Sequence, residues 1–344
     1  MKKYLVMKAL LTLIGIFALT ANSFAAKRQL VYVYKGGEIV YQTTAETLDS
    51  VALEQSKTII SLYSKSGTQL YSAAYSNIDS ITYVTLPMAD MLDVQFNSDG
   101  TATDISPMAN PIETVSSTGL STYYNNTYGR YVARFENPWA SVATAYYKMD
   151  YTNNQTFKDL LSNGHSLEMV VMADYSGTIA DKECKPFSSM QSGGTGFMVT
   201  RISGARQNEW CFLPNISTTG SSTWRWTTSG IVPETKVYYH LVGVWNKTDQ
   251  KAEIYVNGQL KNSIDAPGNF VFPSTAARWF AIGCDPSSTG GEAAWCGDVV
   301  LARIYSNALN NDQVGKLWEE INVQQEKAAT QNLSEKGNTP NQKY

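Results

Sequence analysis

The chain has 344 residues, a charged fraction of only 17% and a formal net charge of −3. Its 21 tyrosines and 8 tryptophans are typical of β-rich exported proteins rather than helical cytosolic ones. Nucleic-acid backbones are bound through clustered Lys and Arg, and the sequence has no basic run, so the composition argues against a nucleic-acid partner. Binding to a membrane surface loses support for the same reason.

The first residues have the layout of a secretory signal peptide. Lys2 and Lys3 precede an apolar core at residues 9–19, and the small residues Ser23 and Ala25 fit a cleavage site. The core is shorter than the ~20 residues of a spanning helix, and no later segment predicts a membrane span. No cysteine follows the site, so a lipoprotein leader is not predicted. We expect residues 1–26 to be removed and the product to be secreted, periplasmic or associated with the cell surface.

An internal repeat follows the leader. Tyr41 and the Asp-Ser-Val of residues 49–51 recur as Tyr71 and the Asp-Ser-Ile of residues 79–81. Each copy has β-rich runs separated by a glycine turn, and one copy is too small to bury its apolar face alone. This pattern predicts a small duplicated β-rich domain at residues 27–86. It resembles a leader module of exported proteins from Gram-negative gut bacteria, which implies a role in attachment or spacing.

A second, larger domain is predicted at residues 87–322, because Pro87 interrupts strand pairing and a new β pattern follows it. Residues 237–245 are apolar on both faces, as expected for a strand covered on both sides. Asn257 and Gly258 both tolerate positive φ, so they predict a two-residue hairpin inside a three-stranded meander.

The end of the chain changes character. Apolar residues at helical spacing follow a helix start signal at Asn310, and they predict a short amphipathic helix docked on the sheets: Val314, Leu317, Trp318 and Ile321. Residues 323–344 are polar with almost nothing to bury, so we expect a disordered tail.

Six segments between residues 90 and 321 carry a family resemblance. They are Phe96 with Asp99-Gly100-Thr101, then residues 129–135, 164–168, 239–244 with 254–258, 282–283 and 297–305. In this order they resemble a LamG-type (laminin G type 3) jelly roll of the concanavalin A-like lectin and glucanase superfamily. The resemblance implies an all-β protein: a concanavalin A-like jelly-roll β-sandwich with a small N-terminal β-rich repeat domain and a short C-terminal helix.

Patterns for catalysis are missing from the sequence. Glucanases of this superfamily use a Glu-x-Asp-x-x-Glu strand that aims paired carboxylates into one cleft, and no Glu-x-Asp occurs here. A Gly-x-Ser-x-Gly nucleophile elbow is absent too. We interpret His240, in its apolar strand, as structural and His165 as a turn residue. The sequence therefore predicts a protein that is not an enzyme.

Four tryptophans are candidates for ligand binding, because a sugar ring stacks its apolar face on an exposed indole. Trp224 and Trp226 share a face if their segment is a strand, and Trp210 and Trp295 neighbour predicted loops. Core packing is the alternative for all four, and the sequence leaves it open.

The loop that begins at Asp285 contains carboxylates that are candidate ligands for a metal ion. Asp285, Glu292 and Asp298 are candidates for a calcium ion, with Asp285 also a candidate ligand-binding residue, and Asp99 and Asp104 form a second candidate set. The alternative is that these carboxylates cap backbone amides or face water.

Cysteines are expected to be structural. Among the pairings that Cys184, Cys211, Cys284 and Cys296 allow, a Cys284–Cys296 disulfide is the first choice for an exported chain. Their spacing does not indicate a zinc site.

Together these features predict an exported, non-catalytic module that binds carbohydrate, either a glycan or a polysaccharide, with calcium as the one cofactor to consider. Two alternatives stay open, because one fold hosts many functions. The first is a protein-interaction or structural module at the cell surface, with a surface or secreted protein as partner. The second is a glycoside hydrolase with an unrecognised site.

Overall fold

The computed structural model describes residues 29–54, 58–115, 118–138, 142–175, 183–199 and 208–322. The chain forms two compact units that divide between Met88 and Ala89. The predicted leader at residues 1–26 and the predicted tail at residues 323–344 lie outside the described residues. Within the described ranges, no helix is long and apolar enough to cross a membrane.

Six strands build the described part of the smaller unit: β1 (Gln29–Lys35), β2 (Glu38–Thr44), β3 (Leu48–Glu54), β4 (Ile59–Ser64), β5 (Gln69–Ala74) and β6 (Ser80–Thr85). They form two antiparallel sheets in the orders β2-β1-β6 and β3-β4-β5. The third strand of each sequence copy therefore joins the sheet of the other copy. Tyr34 pairs with Ser80 in one sheet as Tyr63 pairs with Ser50 in the other.

The core of this unit joins both sheets. Val31 and Val33 of β1 pack in one cluster with Ile60 and Leu62 of β4. Tyr41 and Tyr71, which correspond in the two copies, stack with ring centroids 4.8 Å apart. Aromatic pairs of this kind stabilise a sheet beyond their buried area.

The strands of the larger unit are, in chain order, β7 (Leu92–Phe96), β8 (Ala102–Asp104), β9 (Glu113–Val115), β10 (Leu120–Asn125), β11 (Arg130–Glu136), β12 (Tyr146–Asp150), β13 (His165–Ala173), β14 (Cys184–Met190), β15 (Gly194–Val199), β16 (Trp210–Phe212), β17 (Ile216–Ser217), β18 (Thr227–Thr228), β19 (Tyr238–Asn246), β20 (Lys251–Val256), β21 (Gln259–Asp265), β22 (Asn269–Phe270), β23 (Trp279–Ile282), β24 (Asp285–Ser287), β25 (Gly290–Glu292) and β26 (Cys296–Tyr305). Two helices accompany them: α1 (Gln155–Leu161) and α2 at residues 311–322.

Two antiparallel sheets form a sandwich. The nine-stranded sheet follows the order β10-β11-β26-β13-β19-β20-β21, with β7 paired to β26 and to β8. The seven-stranded sheet follows the order β18-β16-β15-β14-β23-β12-β9. Between them, Leu167 and Leu241 of the first sheet pack in one cluster with Phe187, Phe212 and Phe280 of the second. This is the predicted all-β jelly roll. Because successive side chains of a strand point to opposite faces, each sheet has an inner face towards the core and an outer face.

The predicted helix and meander are confirmed. Val314 and Leu317 of α2 pack on Val242 and Val244, on the outer face of the nine-stranded sheet. Asn310 begins the helix with two reciprocal hydrogen bonds, both 3.0 Å long. The backbone N–H of Gln313 donates to Oδ1 of Asn310, and the backbone N–H of Asn310 donates to Oε1 of Gln313. Strands β19, β20 and β21 are the predicted meander.

The hairpin between β20 and β21 also contacts α2. Gly258 has φ +76°, and a Cβ built on it lies 2.6 Å from Cβ of Trp318. We expect Gly258→Ala to lower the free energy of unfolding by about 2 kcal/mol, since backbone strain and a clash act together. Gly220→Ala is the matched control, because Gly220 has φ +78° and nothing within 4 Å. Equal losses in urea unfolding of the two variants would contradict the role of the Trp318 contact.

Candidate functional site

On the outer face of the seven-stranded sheet, Lys148 and three small residues lie in one row across the strands. Lys148 pairs with Ala281, Ala281 with Ser188, and Ser188 with Gly196 across four strands. Their sequence neighbours, such as Phe187, point into the core.

Next to this row on the same face, apolar residues form a base for two indoles. Met190, Met198, Cys211 and Leu213 are buried together, and the half-buried rings of Trp224 and Trp226 pack against them. We call this group of six residues the tryptophan face.

Arg225, between the two tryptophans, points away from them. Its Nε donates to the carbonyl of Ile216 (3.2 Å) and its Nη2 to the carbonyl of Pro267 (3.3 Å). These bonds fix the backbone between the indoles, as does the bridge between Trp224 and Asn215. The two rings are thus held on a rigid segment and remain partly exposed.

The β24–β25 hairpin borders the tryptophan face. Asp285 accepts hydrogen bonds from Nζ of Lys185 (2.7 Å), from Oγ of Ser188 (2.7 Å) and from the backbone N–H of Met190 (3.0 Å). Burial raises the pKa of Asp285 to about 6, even though the contacts with Lys185 and Ser188 favour the carboxylate. Asp285 is therefore an internal anchor of the hairpin.

At the rim of the hairpin, polar groups reach the surface. The Gln191 side chain, next to Met190, donates to Oε1 of Glu292 (3.2 Å), and the Glu292 side chain is exposed. The Gln191 amide thus lies one residue along the chain from the tryptophan face, and it bonds to the Glu292 carboxylate of the hairpin. Such groups bind hydroxyls and fix the orientation of a stacked ring.

A second aromatic pair lies on β12 and β23 of the same sheet. The rings of Tyr146 and Trp279 stack with centroids 5.5 Å apart, and Nζ of Lys148 lies 5.4 Å from the Trp279 centroid. Both rings are nearly buried. The exposed aromatic surface of this sheet is therefore concentrated at Trp224 and Trp226.

Trp210 and Trp295 are core residues. Both are fully buried, and their rings lie 5.7 Å apart inside the sandwich. Trp210 starts β16 with its side chain inward, so the prediction of a ligand-binding role for these two residues is corrected here. A buried indole offers no face to a sugar.

The predicted calcium ligands do not form one site. Asp298 lies in the nine-stranded sheet, where it accepts hydrogen bonds from Tyr123 (2.6 Å), Tyr238 and Nη1 of Arg134 (3.2 Å). Asp285 already accepts three hydrogen bonds from residues of β14, as described above. Across the ranges that the structure describes, no group of three or more His, Cys, Asp or Glu is placed to hold a metal ion.

The second predicted set is also engaged internally. Asp99 accepts from the backbone N–H (3.0 Å) and the hydroxyl of Thr101 (2.7 Å) within its turn. Asp104 is buried and accepts from the backbone N–H groups of Asp93 and Ser106, both at 2.9 Å. These are the turn-capping bonds that the sequence left open as the alternative.

The predicted disulfide is not formed. Cys284 and Cys296 are both free thiols. Cys284 packs in a small cluster with Tyr146 and Trp279 at the seven-stranded sheet, whereas Cys296 opens β26 opposite Glu136 in the other sheet. The two side chains therefore belong to different sheets of the sandwich.

A buried charge network that the sequence analysis did not predict lies under α2. Oε1 of Glu168 is 3.0 Å from Nε2 of His240, and its Oε2 accepts from Nη1 of Arg303 (3.2 Å) and from the hydroxyl of Tyr305. Arg303 also donates to Asp93 at 2.9 Å. The sequence signal for this network was the presence of charged residues, Glu168 and Arg303, in otherwise apolar strands. In the structure, the opposite charges of these residues compensate one another.

The two histidines have structural positions. The His240 ring stacks on Trp318 of α2, with centroids 5.9 Å apart. His165 is buried at the start of β13 rather than in a turn, with Nδ1 2.8 Å from the Leu161 carbonyl and Nε2 3.2 Å from Oγ1 of Thr195. Burial lowers the pKa of His165 to about 4.

Residues 149–315 match a family model described as the concanavalin A-like lectin/glucanases superfamily. Together with the sandwich topology, this match decides the fold. Residues 149–315 are a concanavalin A-like domain. No curated protein matches the chain.

Solved structures resemble the chain only distantly. The botulinum neurotoxin serotype G binding domain shares 13% identity with a TM-score of 0.48, and the match covers 67% of this chain and 50% of that one. Domain 4 of AbnA, a GH43 extracellular arabinanase from Geobacillus stearothermophilus solved with arabinotriose, shares 14% identity with a TM-score of 0.42 and coverages of 61% and 87%. This chain thus spans about half the length of the toxin domain.

Proposed function

We propose that this protein is an exported, non-catalytic carbohydrate-binding protein and that the tryptophan face is its binding site. The observation that carries the proposal is the pair of half-buried indoles on a rigid apolar base. Indole rings provide a flat apolar surface with little conformational entropy to lose, which suits the apolar face of a sugar ring. The concanavalin A-like fold supports the proposal because its superfamily includes lectins.

Position in the fold favours a binding role for these two residues. The core of the sandwich already contains Trp210, Trp245 and Trp295 as fully buried indoles. Trp224 and Trp226 lie outside that core and pack against a cluster that includes Met190, whose chain neighbour Gln191 bonds to Glu292. Partly exposed aromatic residues next to a few fixed polar groups are the usual composition of a small-ligand site.

We expect Trp224→Ala and Trp226→Ala each to weaken glycan binding about tenfold, which corresponds to ~1.4 kcal/mol of lost stacking. Calorimetry against soluble plant, host and microbial polysaccharides measures this, with and without added calcium. Tyr124→Ala is the matched control, because Tyr124 is 53% exposed on β10 of the other sheet. Absence of binding to every polysaccharide, or equal losses in all three variants, would contradict the proposal.

Export is part of the proposal and rests on the leader pattern of residues 1–26 in the sequence. An exported polysaccharide-binding protein would meet its ligand outside the cytoplasm, which is consistent with that pattern.

A further inference from the structure

We infer that Ser222 is a specificity-determining residue of the tryptophan face and donates a hydrogen bond to an acceptor oxygen of the sugar stacked on Trp224. This inference rests on the proposed function, since it adds a directed polar contact to the same site. Its basis is a buried asparagine, Asn215, which determines the direction in which the Ser222 hydroxyl donates.

A short hairpin places Ser222 beside Trp224. Asn215 and Trp224 form an antiparallel bridge, and the two flanking backbone hydrogen bonds are 2.9 and 3.0 Å long. Residues opposite each other between two such bonds have their side chains on the same side, with Cβ atoms about 4.5 to 5.5 Å apart. Nδ2 of Asn215 is 2.6 Å from Oγ of Ser222. The hydroxyl therefore lies on the side of the hairpin that carries the Trp224 indole.

The position of Ser222 in the chain agrees with this contact. Ser222 precedes Trp224 by two residues, so the two Cα atoms are at most about 7 Å apart. Ser222 is exposed, and the Trp224 ring is half-buried on its apolar base. A ligand that stacks on this indole is thus within reach of the hydroxyl.

The hydrogen bonds of Asn215 fix the direction in which Ser222 donates. Oδ1 of Asn215 lies 2.7 Å from the backbone nitrogen of Thr223, and a backbone N–H only donates. Oδ1 is therefore the acceptor, and Nδ2 donates to Ser222. Asn215 is fully buried, so this donor comes from inside the protein. The Ser222 oxygen accepts from within, and its own hydrogen is left to donate outwards.

This arrangement gives the tryptophan face a directed donor next to a stacking surface. In ligand sites that are otherwise apolar, a few precisely placed polar groups fix the orientation of the ligand and provide specificity. A hydroxyl that already accepts from Asn215 selects an acceptor, such as a ring, glycosidic or carbonyl oxygen of the sugar. Ser222 therefore orients the sugar, while the indole binds its apolar face.

Calorimetry with xyloglucan, glucomannan, arabinan, galactan and polygalacturonate tests the role of Ser222, and the tightest ligand of the wild-type protein serves for the comparison. Ser222→Ala should weaken its binding about fivefold, the loss expected for one neutral hydrogen bond. Ser222→Thr keeps the hydroxyl and should bind like the wild-type protein. Ser221→Ala is the matched control, because Ser221 is an exposed serine of the same hairpin, and its hydroxyl is outside the described bonds of Asn215.

Asn215→Asp tests the direction of the bond. A carboxylate only accepts, so this change keeps the contact with the Thr223 N–H but turns the Ser222 hydrogen inwards. We expect about the same fivefold loss, and no further loss when Ser222→Ala is added, because both changes remove one donor. Urea unfolding shows whether Asn215→Asp is folded. If it is not, Ser222→Ala and Ser222→Thr decide the proposal, since they change only an exposed side chain.

The possible failures are distinguishable. Unchanged affinity of Ser222→Ala, or an equal loss in Ser221→Ala, would overturn the role of Ser222 and leave the binding function standing. Unchanged affinity of a folded Asn215→Asp variant would overturn the assignment of Ser222 as a donor. Absence of wild-type binding to every polysaccharide would overturn the proposed function as well.

Discussion

Arg303→Met is expected to lower the free energy of unfolding of the larger unit by about 3 to 5 kcal/mol. The Arg303 guanidinium is only 3% exposed and bonds to both Glu168 and Asp93. Burial alone would raise the pKa of Glu168, but Arg303 and His240 hold it below its usual range, so the carboxylate stays charged. Without the arginine, the sheet would contain a buried carboxylate whose main counter-charge is gone.

The double variant Glu168→Met with Arg303→Met separates charge from packing. Removing both partners of a buried ion pair costs much less than removing one, because neither charge of the pair is left buried alone. Asp93, the other partner of Arg303, keeps its charge in both variants, and its side chain is 20% exposed. We therefore expect the double variant to recover part of the stability in urea unfolding followed by circular dichroism. Arg278→Met is the control, since Arg278 is partly exposed and donates to the Pro273 carbonyl. A loss below about 1 kcal/mol for Arg303→Met would show that the network contributes little.

The His165 side chain should make the larger unit sensitive to acid. Its pKa is about 4 when folded, against 6.5 for an unperturbed histidine. Below pH 6.5 the unfolded chain therefore takes up a proton that the folded chain excludes. The contribution is present above pH 6.5 and is lost progressively as the pH falls towards 4. Each pKa unit corresponds to about 1.4 kcal/mol, so the expected loss is about 3 kcal/mol.

A variant isolates this effect from other titrations. The stability difference between the wild-type protein and His165→Gln should shrink by about 3 kcal/mol between pH 7 and pH 4, as measured by urea unfolding at each pH. For Asp285→Asn, the stability difference from the wild-type protein should instead change in favour of the wild-type protein as the pH falls. The pKa of Asp285 is raised to about 6, so the folded state gains stability as the pH falls from 6 towards 3.8. A His165→Gln difference that is constant with pH would contradict the assignment.

Local patterns in the sequence predicted the meander and the helix well. Asn257-Gly258 defines its turn through backbone conformation alone, and Val314 and Leu317 define the apolar side of α2 through helical spacing. Both signals depend on residues close together in the chain. The family resemblance then supplied the arrangement of the sandwich as a whole.

Site residues were harder to predict, because their environment depends on distant strands. A strand residue faces inward or outward according to its register, and a shift by one residue reverses the face. Trp210 lies in β16 with its ring inward, whereas Trp226 lies outside the strands, so strand alternation could not predict its exposure. Asp285 and Lys185 are 100 positions apart, and Asp298 is 164 positions from Arg134. Sequence spacing alone therefore suggested metal ligands where the structure has ion pairs.

The exchange of third strands in the smaller unit has a mechanical consequence. Because β3 completes the sheet of the second copy and β6 completes that of the first, neither copy can detach without opening both sheets. The unit should therefore unfold in one cooperative step under load. The two short repeats are therefore expected to behave as one mechanical unit.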